Sequence, residues 1–116
     1  MQSFLKKYKK DINVVYCEND NEAFGAIDAI KAAGYEVGAD KDMMVFSFDS
    51  TKEGLKKVQS GEITLNTECN PLHGPRVAEI IQKLEKGEEV EKIQYVDEAY
   101  FDTSMDLEEI LKTRAY

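Results

Sequence analysis

The sequence predicts a single α/β domain in three layers, α/β/α, with helices on both faces of a short parallel sheet. Short continuous apolar runs alternate along the chain with longer stretches of helical periodicity, a succession typical of α/β proteins. The length of 116 residues suits one domain and is too short for two of ordinary size. Apolar residues make up 42% and charged residues 33%, which is the composition of a globular domain that needs no disulfides.

Three strands are predicted. Residues 12–17 and 43–48 are almost continuous apolar runs, broken only by Asn13 and Ser47, and such runs suit parallel strands covered on both faces. Residues 63–69 alternate between apolar and polar positions, as expected of a half-exposed edge strand. Residues 93–101 are extended without a helical period, and predict a further strand or a crossing tail.

Four helices are predicted between and after these strands. Asn19 or Asp20 opens the first, and Ser50 with Glu53 forms a capping box for the second. The third covers about residues 72–86, and Asp106, with Glu109 at the reciprocal capping position, opens a last short helix. The apolar residues expected to face the core are Ala23, Ala26, Ile27 and Ile30, then Leu55 and Val58, then Val77, Ile80, Ile81 and Leu84, and finally Leu107, Ile110 and Leu111.

The first residues also have helical spacing. Phe4, Leu5 and Tyr8 would share one face of a helix, yet no capping residue stands before them. A chain that starts in this way is expected to begin inside a longer helix.

Charge and hydropathy exclude several functions. With 15 basic and 23 acidic residues the net charge is −8, so nucleic acid is not expected as a partner. No apolar stretch is long enough for a membrane span, and the first residues lack the apolar core of a secretory signal.

Polar side chains follow each predicted strand. Asn19 comes after the first strand, Asp49 after the second, and Glu68 stands at the end of the third. The carboxyl ends of parallel strands meet at one edge of the sheet, which is where such sheets bind ligands. Carboxylate and amide groups without nearby lysine or arginine suit a neutral polyol better than a phosphate. Helix capping is the competing interpretation, and for Asn19 both hold.

Two enzymatic alternatives are less well supported. Cys69 and His73 could form a nucleophile pair or half a metal site, but the chain has only one His and two Cys and specifies no third partner. Asp49 could accept a phosphoryl group as in receiver domains, which would also require a lysine on a later strand. Cys17 and Cys69 are expected two strand spacings apart, too far for a disulfide, and therefore as free thiols.

Two parts of the chain resemble a known family. Residues 19–34 (NDNEAFGAIDAIKAAG) and 44–51 (MVFSFDST) resemble the C-terminal lobe of type 1 periplasmic sugar-binding proteins, the ribose-binding-protein-like receptors of ABC transporters. Residues 67–75 (TECNPLHGP) most resemble the galactofuranose-binding branch of that family.

The resemblance implies a Rossmann-like lobe that binds a monosaccharide such as a furanose or pentose and works with a membrane permease. It implies no catalysis and no cofactor, and it places Asn19, Asp49 and Glu68 on ligand-binding positions of the family. Residues 1–102 would form a partial lobe and residues 103–116 a helical tail. The parent would be exported to the periplasm or cell surface, although this chain shows no signal peptide. The effector domain of lactose-repressor-like regulators shares the fold and is the alternative; a flavodoxin-like enzyme or receiver domain is a third possibility.

The partial match has physical consequences. The first lobe, two strands of the second lobe and the export signal have no counterpart in the chain, so the strand from Ile12 to Cys17 should be an exposed, unpaired edge. We therefore expect self-association through that edge, with exchange of residues 93–116 as one form.

Overall fold

The computed structural model describes all 116 residues as a four-stranded mixed sheet with helices. The elements in chain order are α1 (Gln2–Tyr8), a 3₁₀-helix (Lys9–Asp11), β1 (Val14–Tyr16), α2 (Asp20–Ala32), β2 (Met44–Asp49), α3 (Lys52–Gln59), β3 (Leu65–Glu68), α4 (Gly74–Glu85), β4 (Tyr100–Asp102) and α5 (Leu107–Thr113). The predicted α/β class is confirmed. The ends of β1, β2 and β3 differ from their predicted bounds by one or two residues, whereas β4 begins only at Tyr100, near the end of the extended 93–101 segment. No helix is both long and apolar enough to span a membrane.

The strands lie side by side in the order β1-β2-β3-β4. β1, β2 and β3 are parallel, whereas β4 runs antiparallel to β3. The prediction that the third strand is an edge strand is therefore wrong, because the last residues of the extended 93–101 segment return as β4 and cover it. The alternation of residues 63–69 does not follow burial, because the polar Asn66 is the buried residue of β3 whereas Leu65 and Thr67 are only half-buried.

Helices cover one face of the sheet within this chain. The register places Val45, Ser47, Asn66 and Phe101 on that face, and all four are buried. The connections from β1 to β2 through α2 and from β2 to β3 through α3 step in the same direction along the sheet. Because connections between parallel strands are right-handed in nearly all proteins, both helices lie on the same side. The main core fills the space beneath, formed by Ala23, Ala26, Ile27, Ile30, Val45, Leu55, Val58, Ile63 and Leu107 among others.

The other face carries exposed or half-buried apolar side chains. Val14 and Tyr16 of β1 are exposed, and Tyr16 packs edge-on against Phe48 with ring centroids 5.4 Å apart. No helix of this chain packs closely on these side chains, whereas α2 and α3 pack against the sheet strands. β1 is also an edge strand, since it pairs only with β2.

The predicted apolar stripe of α4 is not buried. The helix has no buried residue, and Val77, Ile81 and Leu84 are exposed. It makes no extensive contact with another helix or strand, although Arg76 holds the following segment by donating to the Tyr95 carbonyl oxygen at 2.9 Å. The projecting helix lengthens the molecule to 60 Å, with a radius of gyration of 18.2 Å where a compact chain of this size has about 13 Å.

Of the two terminal helices, α5 packs as its spacing predicts, whereas Phe4 and Tyr8 of the predicted α1 face are exposed. Leu5 is the buried residue of α1, and Leu107 of α5 is buried with Ile110 and Leu111 partly buried beside it. The side chain of Asp106 caps α5 by accepting from the Glu109 backbone N–H at 3.1 Å. The last residues of the chain thereby come to lie beside α3 and the end of β2.

Candidate functional site

Asn19, Asp49 and Glu68 lie at one edge of the sheet, where β1, β2 and β3 end. Asp49 and Glu68 are directly paired in the register of β2 and β3, and neighbouring strands lie about 4.8 Å apart. Asn19 follows β1, the strand on the other side of β2. The predicted positions are confirmed, whereas ligand contact at them stays a prediction.

Asn19 is the N-cap of α2. Its side-chain oxygen accepts from the Glu22 backbone N–H at 2.9 Å, and the Glu22 carboxylate in turn accepts from the Glu18 backbone N–H at 3.0 Å. The predicted cap is confirmed. Capping uses only the oxygen, so the amide group of Asn19 keeps two hydrogen-bond donors for a ligand.

Asp49 ends β2 in an unusual backbone conformation. Its φ is 98° and that of Ser50 is 54°, so two consecutive residues other than glycine are left-handed. Partial burial raises the pKa of the Asp49 carboxyl, the charge of Asp20 raises it further, and the Asp20 backbone N–H lowers it in part. No side chain donates to this carboxylate, which leaves it free to accept from a ligand hydroxyl.

Ser50 does not cap α3, and the predicted capping box at Ser50 and Glu53 is wrong. Thr51 is the N-cap, and its hydroxyl oxygen accepts from the Gly54 backbone N–H at 3.1 Å. Ser50 is fully buried instead, and both its backbone N–H and its hydroxyl donate to the side-chain oxygen of Asn66 at 3.1 Å. The left-handed corner shifts the helix start by one residue.

A buried carboxylate lies beneath the strand ends. Asp20 accepts hydrogen bonds on both oxygens, from the Ser47 hydroxyl and the Asn66 amide at 2.7 Å and from the backbone and hydroxyl of Thr51 at 2.8 and 2.6 Å. These donors come from β2, β3 and the start of α3. A buried carboxylate of this kind persists only when donors satisfy it. The sequence offered Asp20 only as a helix opener, because the donors are distant along the chain.

Glu68 is already held by residues of this chain. Its carboxylate accepts from the Arg114 guanidinium at 2.7 Å, from the Tyr116 hydroxyl, and from the Ala99 backbone N–H at 3.0 Å. The Glu68 and Arg114 side chains are only 10% and 9% exposed. Burial alone would raise the pKa of Glu68, but the hydrogen bonds from Tyr116, Ala99 and Arg114 outweigh it, so the pKa lies below its ordinary value.

Sequence reasoning missed Arg114 and Tyr116. Arg114 stacks between the rings of Phe101 and Tyr116, with its guanidinium carbon 5.3 and 4.1 Å from their centroids. The Tyr116 carbonyl oxygen also accepts from the Lys52 backbone N–H at 3.0 Å. No local pattern marks these residues, because their role depends on α5 directing the end of the chain back to the sheet.

The two cysteines and the single histidine form no disulfide and belong to no metal-binding group of three. Cys17 is buried and Cys69 exposed, and both are free thiols. His73 precedes α4 without capping it through its side chain. No group of three or more His, Cys, Asp or Glu side chains has a metal-binding arrangement.

The chemistry at this edge suits a neutral hydroxylated ligand. Asp49 supplies an acceptor and Asn19 supplies donors, while Glu68 pairs with Arg114, the cation beside it. A neutral polyol needs this mixture of donors and acceptors and no net countercharge.

Comparison with known families assigns the chain to a family. Residues 1–89 match the model of the periplasmic binding protein domain. The chain belongs to that family.

Relatives and solved structures of periplasmic binding proteins give more detail. The fructose import binding protein FruE of Bifidobacterium longum is 30% identical over 114 residues, covering 97% of this chain and 34% of FruE. The galactofuranose-binding protein YtfQ of Escherichia coli is 34% identical over 88 residues, covering 74% of this chain and 27% of YtfQ. A Mycobacterium smegmatis structure in complex with β-D-fucofuranose is 31% identical with a TM-score of 0.84, covering 97% of this chain and 36% of that one.

These comparisons bear on the sequence predictions. The predicted family is confirmed, and the relatives are import binding proteins, not enzymes, as the resemblance implied. They do not favour the lactose-repressor-like alternative. This chain spans about a third of the length of the relatives it matches.

Proposed function

We propose that this chain forms one wall of a monosaccharide site in the binding component of an ABC-type sugar importer. The observation that carries the proposal is the free carboxylate of Asp49 beside the free amide donors of Asn19, at the strand ends of a periplasmic binding protein lobe. The parent protein would be exported to the periplasm or cell surface and would deliver sugar to a membrane permease.

The three residues take different roles in this proposal. Asp49 accepts hydrogen bonds from sugar hydroxyl groups, and Asn19 donates to a sugar oxygen. A carboxylate has about four acceptor positions, and three of those on Glu68 are taken by Arg114, Tyr116 and Ala99. Glu68 therefore contributes one further hydrogen bond to the sugar and mainly anchors the residues around it.

The substrate we propose is a furanose or a pentose. Support comes from the names of the relatives, which include fructose, ribose and galactofuranose binding proteins, and from one similar structure in complex with β-D-fucofuranose. Hydrogen bonds to charged groups contribute roughly 1.5–3 kcal/mol each, which does not overcome the cost of immobilising a sugar. Binding by this chain alone is therefore expected to be millimolar.

A nitrogen–proton NMR titration with ribose, galactose, arabinose and fructose tests the site. Dose-dependent shifts confined to amides around Asn19, Asp49 and Glu68 are expected, and Asp49→Asn should remove them. Asp40→Asn is the control, since Asp40 is an exposed carboxylate away from the strand ends. Shifts that survive Asp49→Asn, or none with any sugar, would contradict sugar binding at this site.

We propose further that residues 103–116 act together with the lobe of residues 1–102. Arg114 and Tyr116 of this tail bind Glu68, and α5 packs on the core of the same chain. Removing the tail should therefore disturb the site as well as the core.

Self-association through β1 is the remaining part of the proposal. Val14 of this edge strand is 42% exposed, and edge strands with apolar side chains pair readily with other strands. Sedimentation velocity of Val14→Lys should show less dimer than the unchanged chain. Val77→Lys places the same charge at a valine that is 48% exposed on α4, so a loss of dimer there instead would contradict pairing through β1.

A further inference from the structure

The corner after β2 is the most constrained turn of the chain. Asp49 and Ser50 are both left-handed, with φ of 98° and 54°. Residues with a Cβ avoid this region because of steric conflict with the backbone. Such a conformation persists only where surrounding contacts determine it.

One guanidinium contacts both carbonyl groups of this corner. The Nε of Arg114 donates to the Ser50 carbonyl oxygen at 2.9 Å, and one terminal nitrogen lies 3.4 Å from the Asp49 carbonyl oxygen. The other terminal nitrogen donates to Glu68 at 2.7 Å. The planar fork of arginine can make these bonds simultaneously, whereas the single ammonium group of lysine cannot.

The corner is held from the interior as well. The side-chain oxygen of Asn66 accepts from the backbone and the hydroxyl of Ser50. Arg114 is itself fixed, because it is nine-tenths buried and lies between Phe101 and Tyr116. Asn66 thus fixes the donors of Ser50, and Arg114 fixes the two carbonyl groups.

We propose that Arg114 is a positioning residue for ligand binding: by holding the carbonyl groups of Asp49 and Ser50, it fixes the corner that presents the Asp49 carboxylate to a sugar. The inference rests on the proposed function, because the direction of Asp49 matters only if this carboxylate contacts the ligand. Arg114 itself needs no contact with the sugar.

The backbone of the corner gives the direct test. In Arg114→Gln, the three-bond HN–Hα couplings of Asp49 and Ser50 are expected to rise towards extended values, with a smaller rise in Arg114→Lys. Two controls separate other causes. Lys112→Gln removes a charge from α5, the helix that precedes Arg114, and Glu68→Gln removes the ion pair while both carbonyl contacts remain. Unchanged couplings in folded Arg114→Gln would overturn the proposal, as would an equal change in Glu68→Gln.

A measurement on the unchanged chain covers the case in which the variants do not fold. The Nε–H of Arg114 should exchange slowly with water and show a scalar coupling to the Ser50 carbonyl carbon. Rapid exchange without that coupling would overturn the proposal without any variant.

Sugar titration then separates this inference from the proposed function. Sugar-induced shifts around Asp49 should be present in the unchanged chain, lost in Arg114→Gln and partly retained in Arg114→Lys. If the unchanged chain shows no such shifts while the couplings respond to Arg114, the proposed function fails and the structural role of Arg114 stands. If Arg114→Gln binds sugar as the unchanged chain does, the positioning role is overturned and the proposed function stands.

Discussion

The amide nitrogen of Asn66 donates to the carboxylate of Asp20 at 2.7 Å, although the two residues are 46 positions apart. Both side chains are almost completely buried. Asp20 begins α2 and Asn66 lies in β3, so this bond joins a helix start to the interior of the sheet. Asn66 also contacts Ser50, which connects the buried carboxylate to the corner that carries Asp49.

Asp20→Asn should lower the free energy of unfolding by roughly 2–4 kcal/mol. The change replaces one acceptor oxygen with an NH2 group that faces existing donors, and it leaves buried groups without partners. Urea unfolding with an unchanged m-value would report the loss as a lower midpoint. Asp28→Asn is the matched control, since Asp28 is an exposed residue of the same helix; equal losses in the two variants would contradict the role of Asp20.

Gly54→Ala tests the space around the same carboxylate. A Cβ at this position would lie 2.1 Å from an Asp20 oxygen and 2.7 Å from the Asn66 amide nitrogen. We expect a loss of about 2 kcal/mol or more in the free energy of unfolding, because α3 would have to move away from the buried hydrogen bonds.

Gly25→Ala, in α2, should change the free energy of unfolding in the opposite direction. Nothing lies within 4 Å of a Cβ there, so alanine should raise the free energy of unfolding by about 0.5–1 kcal/mol through its helix propensity. Thermal unfolding of Gly54→Ala and Gly25→Ala measures both changes in stability. A neutral Gly54→Ala would show that Asp20 and α3 are not in close contact.

Local signals predicted much of the fold and the positions of the site residues. The capping roles of Asn19 and Asp106 follow from side chains that bond within one helical turn, and the structure confirms both. The prediction that the apolar stripe of α4 is buried was wrong, because periodicity shows which residues share a helix face, not whether another element covers that face. The contacts of Arg114 lie beyond local patterns, since its carbonyl acceptors are 64 and 65 positions away.

The lowered pKa of Glu68 predicts that the chain loses stability in acid. Its folded-state pKa lies below the ordinary value of 4.5, so the unfolded chain binds its proton more readily. This stabilisation is complete above the unfolded-state pKa and is lost as the pH falls through the folded-state value. The difference in unfolding free energy between the unchanged chain and Glu68→Gln should therefore shrink as the pH drops below about 4.5.

Asp49 cannot account for this loss of stability in acid. Its pKa is raised in the folded chain, so its protonation favours the folded state as the pH falls. Urea unfolding at a series of pH values measures the effect, with exposed Glu91→Gln as the control. A difference that stays constant from neutral to acid pH would contradict the Arg114 and Tyr116 contacts of Glu68.

The raised pKa of Tyr116 predicts that the stability of the chain also depends on pH in the alkaline range. Burial and the hydrogen bond to Glu68 raise the pKa of Tyr116 to about 12 from an ordinary 10.0. A group whose folded-state pKa is raised stabilises the fold fully below its unfolded-state pKa, and this stabilisation is lost as the pH rises through the folded-state value. The stability difference between the unchanged chain and Tyr116→Phe should therefore decline between pH 10 and about 12.

The absorbance of tyrosinate measures the same ionisation directly. Subtracting the titration of Tyr116→Phe from that of the unchanged chain should isolate one tyrosine that ionises late, while the same subtraction with Tyr95→Phe should isolate an exposed residue. If Tyr116 ionises together with Tyr95, its hydroxyl does not donate to Glu68. Glu68 would then regain an acceptor position, which would make it a stronger candidate for direct contact with a sugar.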